Sequence, residues 1–343
     1  MKYKRLLVTG GAGFIGSAFI RYSLKNYPEL EAIVNLDILT YAGNLDNLAE
    51  IAHDPRYHFV QGDIRNQALV QTLCEKYRID AIVHCAAESH VDRSIANPEL
   101  FLETNIRGTF ALLEVARRLP HIHFHHVSTD EVYGSIEEGF FNELSIYRPN
   151  TPYAATKAAS DHLVRAWAVT YGISTTISHC SNNYGPYQYP EKLIPRMVHA
   201  CAERGKLTIH GNGLHIRDWL YVDDHAHALW LILEKGKRGE IYDIGGRAEH
   251  HNIHVVHAII DSYAKATDTP LEELKSLITY IEDRQGNDIR YAIDSTKIEQ
   301  ELGWKQGHPF EEGLSATVNW YVEKLDVRKK EPAEEVEATP QQV

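Results

Sequence analysis

Short apolar runs rich in β-branched residues alternate, in the first half of the chain, with longer segments whose apolar residues recur at helical spacing. The runs that we expect to form buried strands are 6–8, 32–34, 58–60, 81–83 and 124–127. Segment 101–119 is typical of the helices between them. Because strands that alternate with helices form parallel sheets, the pattern predicts an α/β fold, a Rossmann-type doubly wound parallel sheet.

The pattern changes in the second half of the chain. After about Asn183 it loosens into loops rich in Pro, Gly and aromatic residues among shorter elements. This predicts a smaller carboxy-terminal part that binds substrate, since binding residues are often carried on loops. The last stretch, 328–343, is charged and then rich in Pro, Glu and Gln, with almost no large apolar residue. We expect this tail to be disordered.

Composition and charge argue against several classes of partner. With 35 Lys and Arg against 47 Asp and Glu, the formal net charge is -12, so we expect no binding to nucleic acid or to anionic membranes. No apolar run approaches the length that spans a membrane. The four cysteines are sparse and show no C-x-x-C spacing, which favours a reduced, cytoplasmic protein without disulfides.

A glycine-rich turn follows the first predicted strand and opens a helix, with the sequence Gly10-Gly11-Ala12-Gly13-Phe14-Ile15-Gly16. Glycine is needed where backbone turns tightly or touches a pyrophosphate, and the helix amino terminus adds positive potential. Asp37 follows about 20 residues on, at the end of the second predicted strand. Its carboxylate can accept from both ribose hydroxyls but would repel a 2′-phosphate, so the sequence predicts NAD as cofactor rather than NADP.

Tyr153 and Lys157 are spaced so that they share one face of a helix. A phenol is a poor base at neutral pH, and a neighbouring ammonium together with a nicotinamide cation would favour the phenolate. The same spacing also occurs in solvent-facing helix pairs. Downstream of a dinucleotide site it indicates a catalytic base whose pKa is lowered.

Two adjacent carboxylates, Asp130 and Glu131, follow the fifth predicted strand, which we place at 121–127. The carboxyl end of that strand should open onto the cofactor crevice. Such residues can simply cap a turn. Inside a crevice their mutual repulsion should instead separate their pKa values, leaving one as an acid and the other as a base. That division suits an elimination, which takes a proton from carbon and gives one to a leaving hydroxyl.

The segment Thr129-Asp130-Glu131-Val132-Tyr133-Gly134 resembles the signature of the dTDP-glucose 4,6-dehydratases, which belong to the extended short-chain dehydrogenase/reductases. The resemblance extends to about Tyr321. Its further blocks are 40–44, 86–94, 153–162, 180–186, 190–195 and 217–222. It implies that 1–182 is mainly an NAD-binding Rossmann domain and 183–327 mainly a sugar-nucleotide-binding domain, between which the chain can cross.

The resemblance also implies roles for the reacting groups. Tyr153, assisted by Lys157, would remove the proton of sugar O4 while the C4 hydride passes to NAD, and Thr129 would polarise O4 through its hydroxyl. Glu131 would then abstract the C5 proton as Asp130 protonates the departing C6 hydroxyl. Return of the hydride to C6 would give dTDP-4-keto-6-deoxyglucose and water. The resemblance also implies a homodimer built from helices 101–119 and 153–170.

The predicted binding residues form two sets. The cofactor-side set, in addition to Tyr153 and Lys157, is Gly10, Gly13, Phe14, Ile15, Gly16, Asp37, Ile38, Leu39, Thr40, Asp63, Ile64, Cys85, Ala86, Ala87, Thr104 and Asn183. The substrate-side set, in which Lys192 and Arg217 would neutralise the pyrophosphate, is Ser89, Thr129, Asn182, Lys192, Leu193, Thr208, His210, Arg217, Asn252, Arg284, Asn287 and Tyr291. Asp63 is also compatible with a plain turn residue after Gly62.

Three positions depart from the family pattern. Ile38 replaces a usual Lys beside Asp37, His210 stands where Tyr is usual near the base, and Gln285-Gly286-Asn287-Asp288 replaces Pro-Gly-His-Asp. The last two bear on recognition of the nucleotide base, where uridine remains an alternative to thymidine.

Other functions were weighed on the same residues. A sugar-nucleotide 4-epimerase would share the fold, the cofactor and Tyr153 with Lys157, but would have no use for Asp130 and Glu131. A decarboxylase would not need the acid at Asp130, and a non-catalytic NAD sensor would commonly lack the Tyr–Lys pair. We predict no metal site in the histidine-rich strand, because a parallel strand is covered by helices on both faces.

Overall fold

The computed structural model describes residues 1–330, and their side chains to residue 325. Most of the predicted tail, 331–343, lies outside the described residues, whereas 328–330 continue the last helix. The strands are β1 Arg5–Thr9, β2 Ala32–Asp37, β3 Tyr57–Gln61, β4 Ala81–His84, β5 His123–Thr129, β6 Ser174–Cys180, β7 Asn182–Tyr184, β8 Leu207–His210, β9 Ile216–Tyr221, β10 Ile241–Ile244, β11 Glu249–His251 and β12 Ile278–Ile281.

Helices connect these strands and cover the sheets. They are α1 Phe14–Asn26, α2 Gln67–Lys76, α3 Val91–Ala96, α4 Pro98–Phe101, α5 Thr109–Arg118, α6 Pro152–Tyr171, α7 Leu193–Glu203, α8 Val222–Lys235, α9 Asn252–Thr267, α10 Leu271–Lys275, α11 Thr296–Leu302 and α12 Phe310–Lys330. A π-helical stretch, Leu102–Gly108, joins α4 to α5, and short 3₁₀ turns cover Leu45–Ile51 and Asp130–Tyr133.

The central sheet has seven parallel strands in the order β10-β6-β5-β4-β1-β2-β3. Its two faces bury different residues of the same strand. Leu6 and Val8 pack with Phe19 of α1, while Leu7 packs with Leu112 of α5. Burial on both faces explains the continuous apolar runs and confirms the predicted doubly wound fold. The fifth strand begins at 123, two residues later than expected.

His123 and His125 of β5 are held by hydroxyl groups of β6. The ring of His123 lies 2.8 Å from Ser174 Oγ and 2.9 Å from Thr176 Oγ1, and that of His125 lies 2.8 Å from Thr176 Oγ1 and 3.1 Å from Ser178 Oγ. Within residues 1–330 no cluster of three or more His, Cys, Asp or Glu could hold a metal ion. In the same range, no helix has the length and apolar character that crossing a membrane requires.

The chain crosses between its two halves. β10 pairs with β6 in the central sheet, although it belongs to the second half. α8 packs on α1, where Trp230 stacks on Phe19 and its indole N–H donates to Ser23 Oγ at 2.6 Å. α11 joins the same core through Ile298 and Leu302, whereas a separate core forms around α7, α9 and α12. The division of binding roles between the halves stays a prediction.

Candidate active site

The glycine turn brings backbone of β1 and α1 against the end of β4. Gly10 adopts a φ of +69°, and a Cβ there would lie 2.6 Å from the Cα of Ala86. A Cβ on Gly16 would collide with the carbonyl oxygen of Gly10. Neither position can carry a side chain without moving backbone. α1 begins at Phe14, directly after Gly13, so the glycine turn lies at the amino terminus of this helix.

Asp37 lies at the end of β2 beside this turn. Its Oδ2 accepts from the N–H of Ala12 at 2.9 Å, and its Oδ1 accepts from the N–H of Leu39 at 2.8 Å. Burial raises the pKa of the Asp37 carboxyl, although both backbone donors oppose that shift. The carboxyl group is thus fixed beside the glycine turn. Ile38, where the family pattern has Lys, is exposed next to it.

Asp63 is anchored by its neighbour. Its carboxylate accepts from Arg65 Nε at 2.9 Å, Arg65 Nη2 at 2.6 Å and the backbone N–H of Arg65 at 2.8 Å. The side chain therefore stabilises the turn that follows β3. It also lies on the wall of the cleft described next, so the two interpretations of Asp63 are compatible.

One cleft of about 360 Å³ runs from the glycine turn to the carboxyl ends of β5 and β6. This main cleft is lined by all five predicted catalytic residues and by the predicted cofactor-side residues other than Leu39. Of the predicted substrate-side residues it includes Ser89, Thr129, Asn182 and Lys192. Within the described part of the chain, the others lie outside its walls: Leu193, Thr208, His210, Arg217, Asn252, Arg284, Asn287 and Tyr291.

The two adjacent carboxylates follow Thr129 at the end of β5. The Thr129 hydroxyl caps the 3₁₀ turn by accepting from the N–H of Glu131 at 3.3 Å. Asp130 is 2% exposed, and its Oδ2 has no hydrogen-bond partner among residues 1–330. A buried acceptor without a partner is costly, so this oxygen is available to a bound molecule.

Burial and charge separate the two carboxyl groups. Burial raises the pKa of Asp130 well above its usual value, and the charge of Glu131 raises it further. Burial also raises the pKa of Glu131, but Lys192 and Arg217 oppose that rise. Asp130 is therefore the group better suited to remain protonated, and Glu131 the group better suited to act as a base.

Tyr153 and Lys157 both lie in the first turns of α6, which Thr151 caps by accepting from the N–H of Ala154 at 3.2 Å. The Lys157 ammonium donates to the carbonyl oxygen of Val127 at 2.8 Å. Burial raises the pKa of the Tyr153 phenol well above its usual value, and the charge of Glu131 adds to this, whereas a hydrogen bond with Thr129 opposes it. The protein's own groups thus raise this pKa, and the expected lowering in the presence of the nicotinamide cation stays a prediction.

Positive side chains approach the far end of the main cleft. Lys192 donates to the carbonyl oxygen of Ser89 at 2.9 Å. The Arg217 guanidinium lies 4.2 Å from the ring centroid of Tyr291 and donates to Asn287 Oδ1 at 3.0 Å. Lys192, Arg217 and Arg284 each act on the pKa of Glu131, so their charges converge on the catalytic turn. Arg284 itself lies 3.3 Å from Asp92.

The other two departures from the family pattern, His210 and the segment 285–288, lie in the second half. His210 ends β8, and its Nδ1 is buried without a hydrogen-bond partner in the described range. The side-chain N–H of Asn287 donates to Asp283 at 2.8 Å. Tyr291 donates to Asp288 at 2.8 Å. Leu193 and Asn252 begin α7 and α9, and Thr208 lies within β8. These residues come from separate elements of the second half.

Sequence reasoning missed several residues of the cleft. Glu88 and Glu191 line it, and both lie within blocks that carry the family resemblance, which was the available signal. Asn105 was also missed. It is 2% exposed in the π-helical stretch and donates from Nδ2 to Thr156 Oγ1 at 2.9 Å and to the carbonyl oxygen of Glu88 at 3.0 Å. These bonds tie the wall of the cleft to α6.

Comparison with known proteins places this geometry among nucleotide-sugar enzymes. The family model described as GDP-mannose 4,6 dehydratase matches residues 7–317. A dTDP-glucose 4,6-dehydratase of Neisseria meningitidis is 48% identical over 93% of this chain and 94% of its own. One from Salmonella typhimurium is 49% identical over 93% and 92%.

Solved structures agree with the sequence relatives. DesIV, a dTDP-glucose 4,6-dehydratase from Streptomyces venezuelae solved with NAD and TYD bound, has a TM-score of 0.89 and 47% identity. The alignment covers 94% of this chain and 98% of that one. A UDP-glucose 4-epimerase from Thermotoga maritima has a TM-score of 0.83 but only 28% identity, over 94% and 99% of the two chains.

Proposed function

The chain belongs to the dTDP-glucose 4,6-dehydratase family, and we propose that it converts dTDP-glucose into dTDP-4-keto-6-deoxyglucose and water. It is an NAD-dependent hydro-lyase of that family. The observation that carries the choice of reaction is the pair Asp130 and Glu131 in one cleft with Tyr153. An epimerase of the same fold oxidises and reduces C4 alone, so it has no use for a buried acid beside a base.

The main cleft fits NAD. The glycine turn leaves room for backbone to approach a pyrophosphate, and Asp37 is fixed where it can accept from ribose hydroxyls. We assign the predicted cofactor-side residues, Lys157 among them, to holding the dinucleotide. When bound, NAD accepts a hydride from sugar C4 and later returns it to C6. The protein's own residues position the sugar and move its protons.

Tyr153 takes the proton from sugar O4. The Tyr153 phenol forms a hydrogen bond with the Thr129 hydroxyl. Thr129 also polarises O4. The protein alone raises the pKa of Tyr153, so a positive charge must enter the site before the phenolate becomes accessible. Oxidation is thereby coupled to binding of an oxidised, cationic cofactor.

Once C4 is a ketone, the C5 proton is acidic. Glu131 removes this proton, and Asp130 gives its own proton to the leaving C6 hydroxyl, which departs as water. The assignment follows from the two environments, because Asp130 is the carboxyl group held protonated by burial and by its neighbour's charge.

Lys192, Arg217 and Arg284 provide positive charge for the substrate pyrophosphate. Arg217 is also stacked on Tyr291, which restricts its guanidinium to one plane. Ser89 and Asn182 contact the sugar from the main cleft. The rest of the predicted substrate-side set, among them His210 and Asn287, surrounds the diphosphate and the base.

Turnover of dTDP-glucose by the full chain tests the proposed function. We expect a 4-keto-6-deoxy sugar nucleotide to form while the NAD content stays constant, because the hydride that leaves C4 returns to C6 of the same sugar. The measurement combines product analysis with cofactor absorbance, across dTDP-, UDP- and CDP-glucose. Formation of dTDP-galactose instead would identify a 4-epimerase, and NADH accumulating in step with product would contradict the internal redox cycle.

We also propose that the chain forms a homodimer through α5 and α6. Leu102, Phe110, Val169 and Tyr171 are exposed on this surface, Val169 by 72%. Phe110 lies edge-on to Trp167, so the apolar side chains of the two helices adjoin. Pairing two helices from each copy would bury them in a four-helix interface.

Sedimentation tests the dimer. At micromolar concentration we expect a species of twice 39.0 kDa, because exposed apolar side chains leave water on association. Val169→Glu should convert it to monomer, since a charge at an apolar interface lacks a partner. Glu323→Gln, an exposed change on α12, is the matched control. A wild-type chain that sediments only at 39.0 kDa contradicts the proposal.

We infer the same division of labour that the sequence predicts, with residues 1–182 binding mainly NAD and 183–327 mainly the sugar nucleotide. The site residues converge from both halves, in line with this division. A cytoplasmic location is supported by the cysteines, which are all free, with Cys74, Cys180 and Cys201 buried. Reduced thiols are typical of that compartment.

A further inference from the structure

A chain of buried titratable groups lies behind the catalytic residues. His179 of β6 is held between two carboxylates: its Nε2 is 3.1 Å from Asp161 Oδ2 of α6, and its Nδ1 is 2.9 Å from Asp243 Oδ1 of β10. His126 of β5 extends the chain, with Nε2 3.3 Å from Asp161 Oδ1. All four side chains are at most 2% exposed. The mechanism above uses none of them.

The buried chain reaches Lys157. The Nε2 atom of His126 lies 3.5 Å from the Lys157 ammonium. Asp161 also follows Lys157 by one helical turn on α6, so the two side chains share a face of that helix. Burial lowers the pKa of Lys157. Among the charged groups that oppose this shift and favour the protonated lysine, Asp161 has the largest effect. His126 Nε2 thus lies near both side chains, and in a neutral ring this atom can bond to only one of them.

The same groups hold the catalytic turn. Ser128, which precedes Thr129 on β5, donates from Oγ to Asp161 Oδ2 at 3.0 Å. Tyr133, which ends the turn, donates to Asp243 Oδ1 at 3.0 Å and lies 2.9 Å from His179 Nδ1. Ser128 and Tyr133 lie on either side of the segment that carries Asp130 and Glu131. Both are therefore bonded to members of the buried chain of titratable groups.

Asp161, His179 and Asp243 form a triplet of titratable groups that can be buried because their charges are opposite. Burial alone would lower the pKa of His179, but its bonds to Asp161 and Asp243 raise it to about 9. Burial alone would raise the pKa of Asp161, but His126 and His179 hold it well below its usual value. Burial lowers the pKa of His126 to about 4, so this ring is neutral. Two carboxylates and one imidazolium leave one negative charge, which matches the single positive charge of Lys157.

We propose that Asp161 is the positioning residue for Lys157, a buried carboxylate that supplies the ammonium's counter-charge and fixes α6 against the catalytic end of β5. The inference rests on the proposed function, in which Lys157 acts beside Tyr153. His179 and Asp243 anchor Asp161 from the opposite side. The carboxylate does not contact substrate, and it acts through the lysine.

Other titratable groups surround the pair. Those that face Lys157 are His84 at the end of β4, Cys85 directly after that strand, His126 from β5 and Cys180 from β6. Those that face Asp161 are His126 from β5, His179 from β6, and Tyr147 from the loop before α6. Of the described residues whose charges shift the pKa of Lys157, Asp161 is the one with a carboxylate; the others are cysteines.

The pH dependence of turnover in Asp161→Asn tests the proposal. Loss of the counter-charge lowers the pKa of Lys157, so the alkaline limb of kcat for dTDP-glucose should move to lower pH by about one unit. This is about a tenfold loss at a fixed alkaline pH, recovered on acidification. KM should change less, by under about threefold, because Asp161 does not touch the substrate.

The double variant His179→Gln with Asp243→Asn is the matched control. It removes one positive and one negative charge but retains Asp161, so its alkaline limb should stay where the wild type has it. Two results would overturn the proposal and leave Asp161 a structural role only. One is an alkaline limb in the double variant that is displaced as far as in Asp161→Asn. The other is a loss of kcat in Asp161→Asn that is equal at every pH.

Stability supplies a readout that needs neither substrate nor a variant. The folded-state pKa of His179, about 9, exceeds the unfolded value of about 6.5. Its contribution to the free energy of unfolding is therefore complete below about pH 6.5 and is lost as pH rises through about 9. The wild-type unfolding midpoint should fall across that window, and the double variant should lose this part of the fall.

The two readouts separate the possible failures. A wild type that does not turn over dTDP-glucose refutes the proposed function, whereas the unfolding profile still tests the charged triplet. If Asp161→Asn does not fold, the wild-type profile remains decisive, because a midpoint that is flat from about pH 6.5 to about pH 9 would show that His179 is not ionised between the carboxylates.

Discussion

Asp130→Asn is expected to slow loss of water about 10²-fold or more while oxidation at C4 proceeds. The amide keeps the shape of the side chain but has no acidic proton to give to the C6 hydroxyl. Because Asp130 Oδ2 has no partner among residues 1–330, the substitution breaks few contacts in the protein itself. Rapid quenching should therefore reveal a 4-keto-glucose nucleotide that still carries its C6 hydroxyl.

The companion variant separates the two carboxylates. Glu131→Gln should block exchange of the C5 proton with deuterated solvent, because the base that abstracts this proton is gone. Glu138→Gln, the same chemical change on an exposed loop residue nearby, is the control and should leave both steps unchanged. If Asp130→Asn and Glu131→Gln both dehydrate at the wild-type rate, the acid and base are assigned to the wrong residues.

Tyr153→Phe should abolish the first step, with kcat reduced by about 10³-fold or more, on the scale of a lost general base. Unlike Asp130→Asn, this variant should accumulate neither the ketone nor reduced cofactor in a single turnover. The phenol lies at the start of α6 in a buried setting, so removing its hydroxyl leaves the ring packing intact.

A control for that change lies on the same helix. Tyr171→Phe removes a hydroxyl at the exposed carboxyl end of α6, outside the main cleft, and should retain wild-type turnover. Single-turnover absorbance of the cofactor distinguishes the two variants. Reduced cofactor forming at the wild-type rate in Tyr153→Phe would assign removal of the O4 proton to another group.

Much of the fold follows from local patterns. The apolar runs located the first five strands, because a strand buried on both faces needs continuous apolar side chains. The fifth begins two residues after its predicted start. The π-helical stretch, in contrast, was predicted as plain helix. Asn105, within this stretch, bonds to Glu88 and to Thr156, and neither partner can be identified from helical spacing.

The candidate site also has a part that local sequence patterns predict and a part that they do not. Tyr153 and Lys157 share a helix face through spacing alone, and the glycine turn is fixed by the absence of side chains at Gly10 and Gly16. Most of the substrate-side residues, by contrast, come from separate elements of the second half, and only the family resemblance placed the set together. The return of β10 to the central sheet, which places Asp243 beside His179, has no signature in either local pattern.

The sequence by itself determined the alternation of strands and helices, the cofactor turn and the reacting residue types, because each depends on neighbours one turn or one strand away. Only the tertiary structure decided which groups are charged. Burial raises the pKa of Tyr153 instead of lowering it and raises that of Asp130 beside Glu131, whereas the bonds to Asp161 and Asp243 raise the pKa of His179 to about 9. Protonation depends on desolvation and on charges brought from distant segments, and both exist only once the chain has packed.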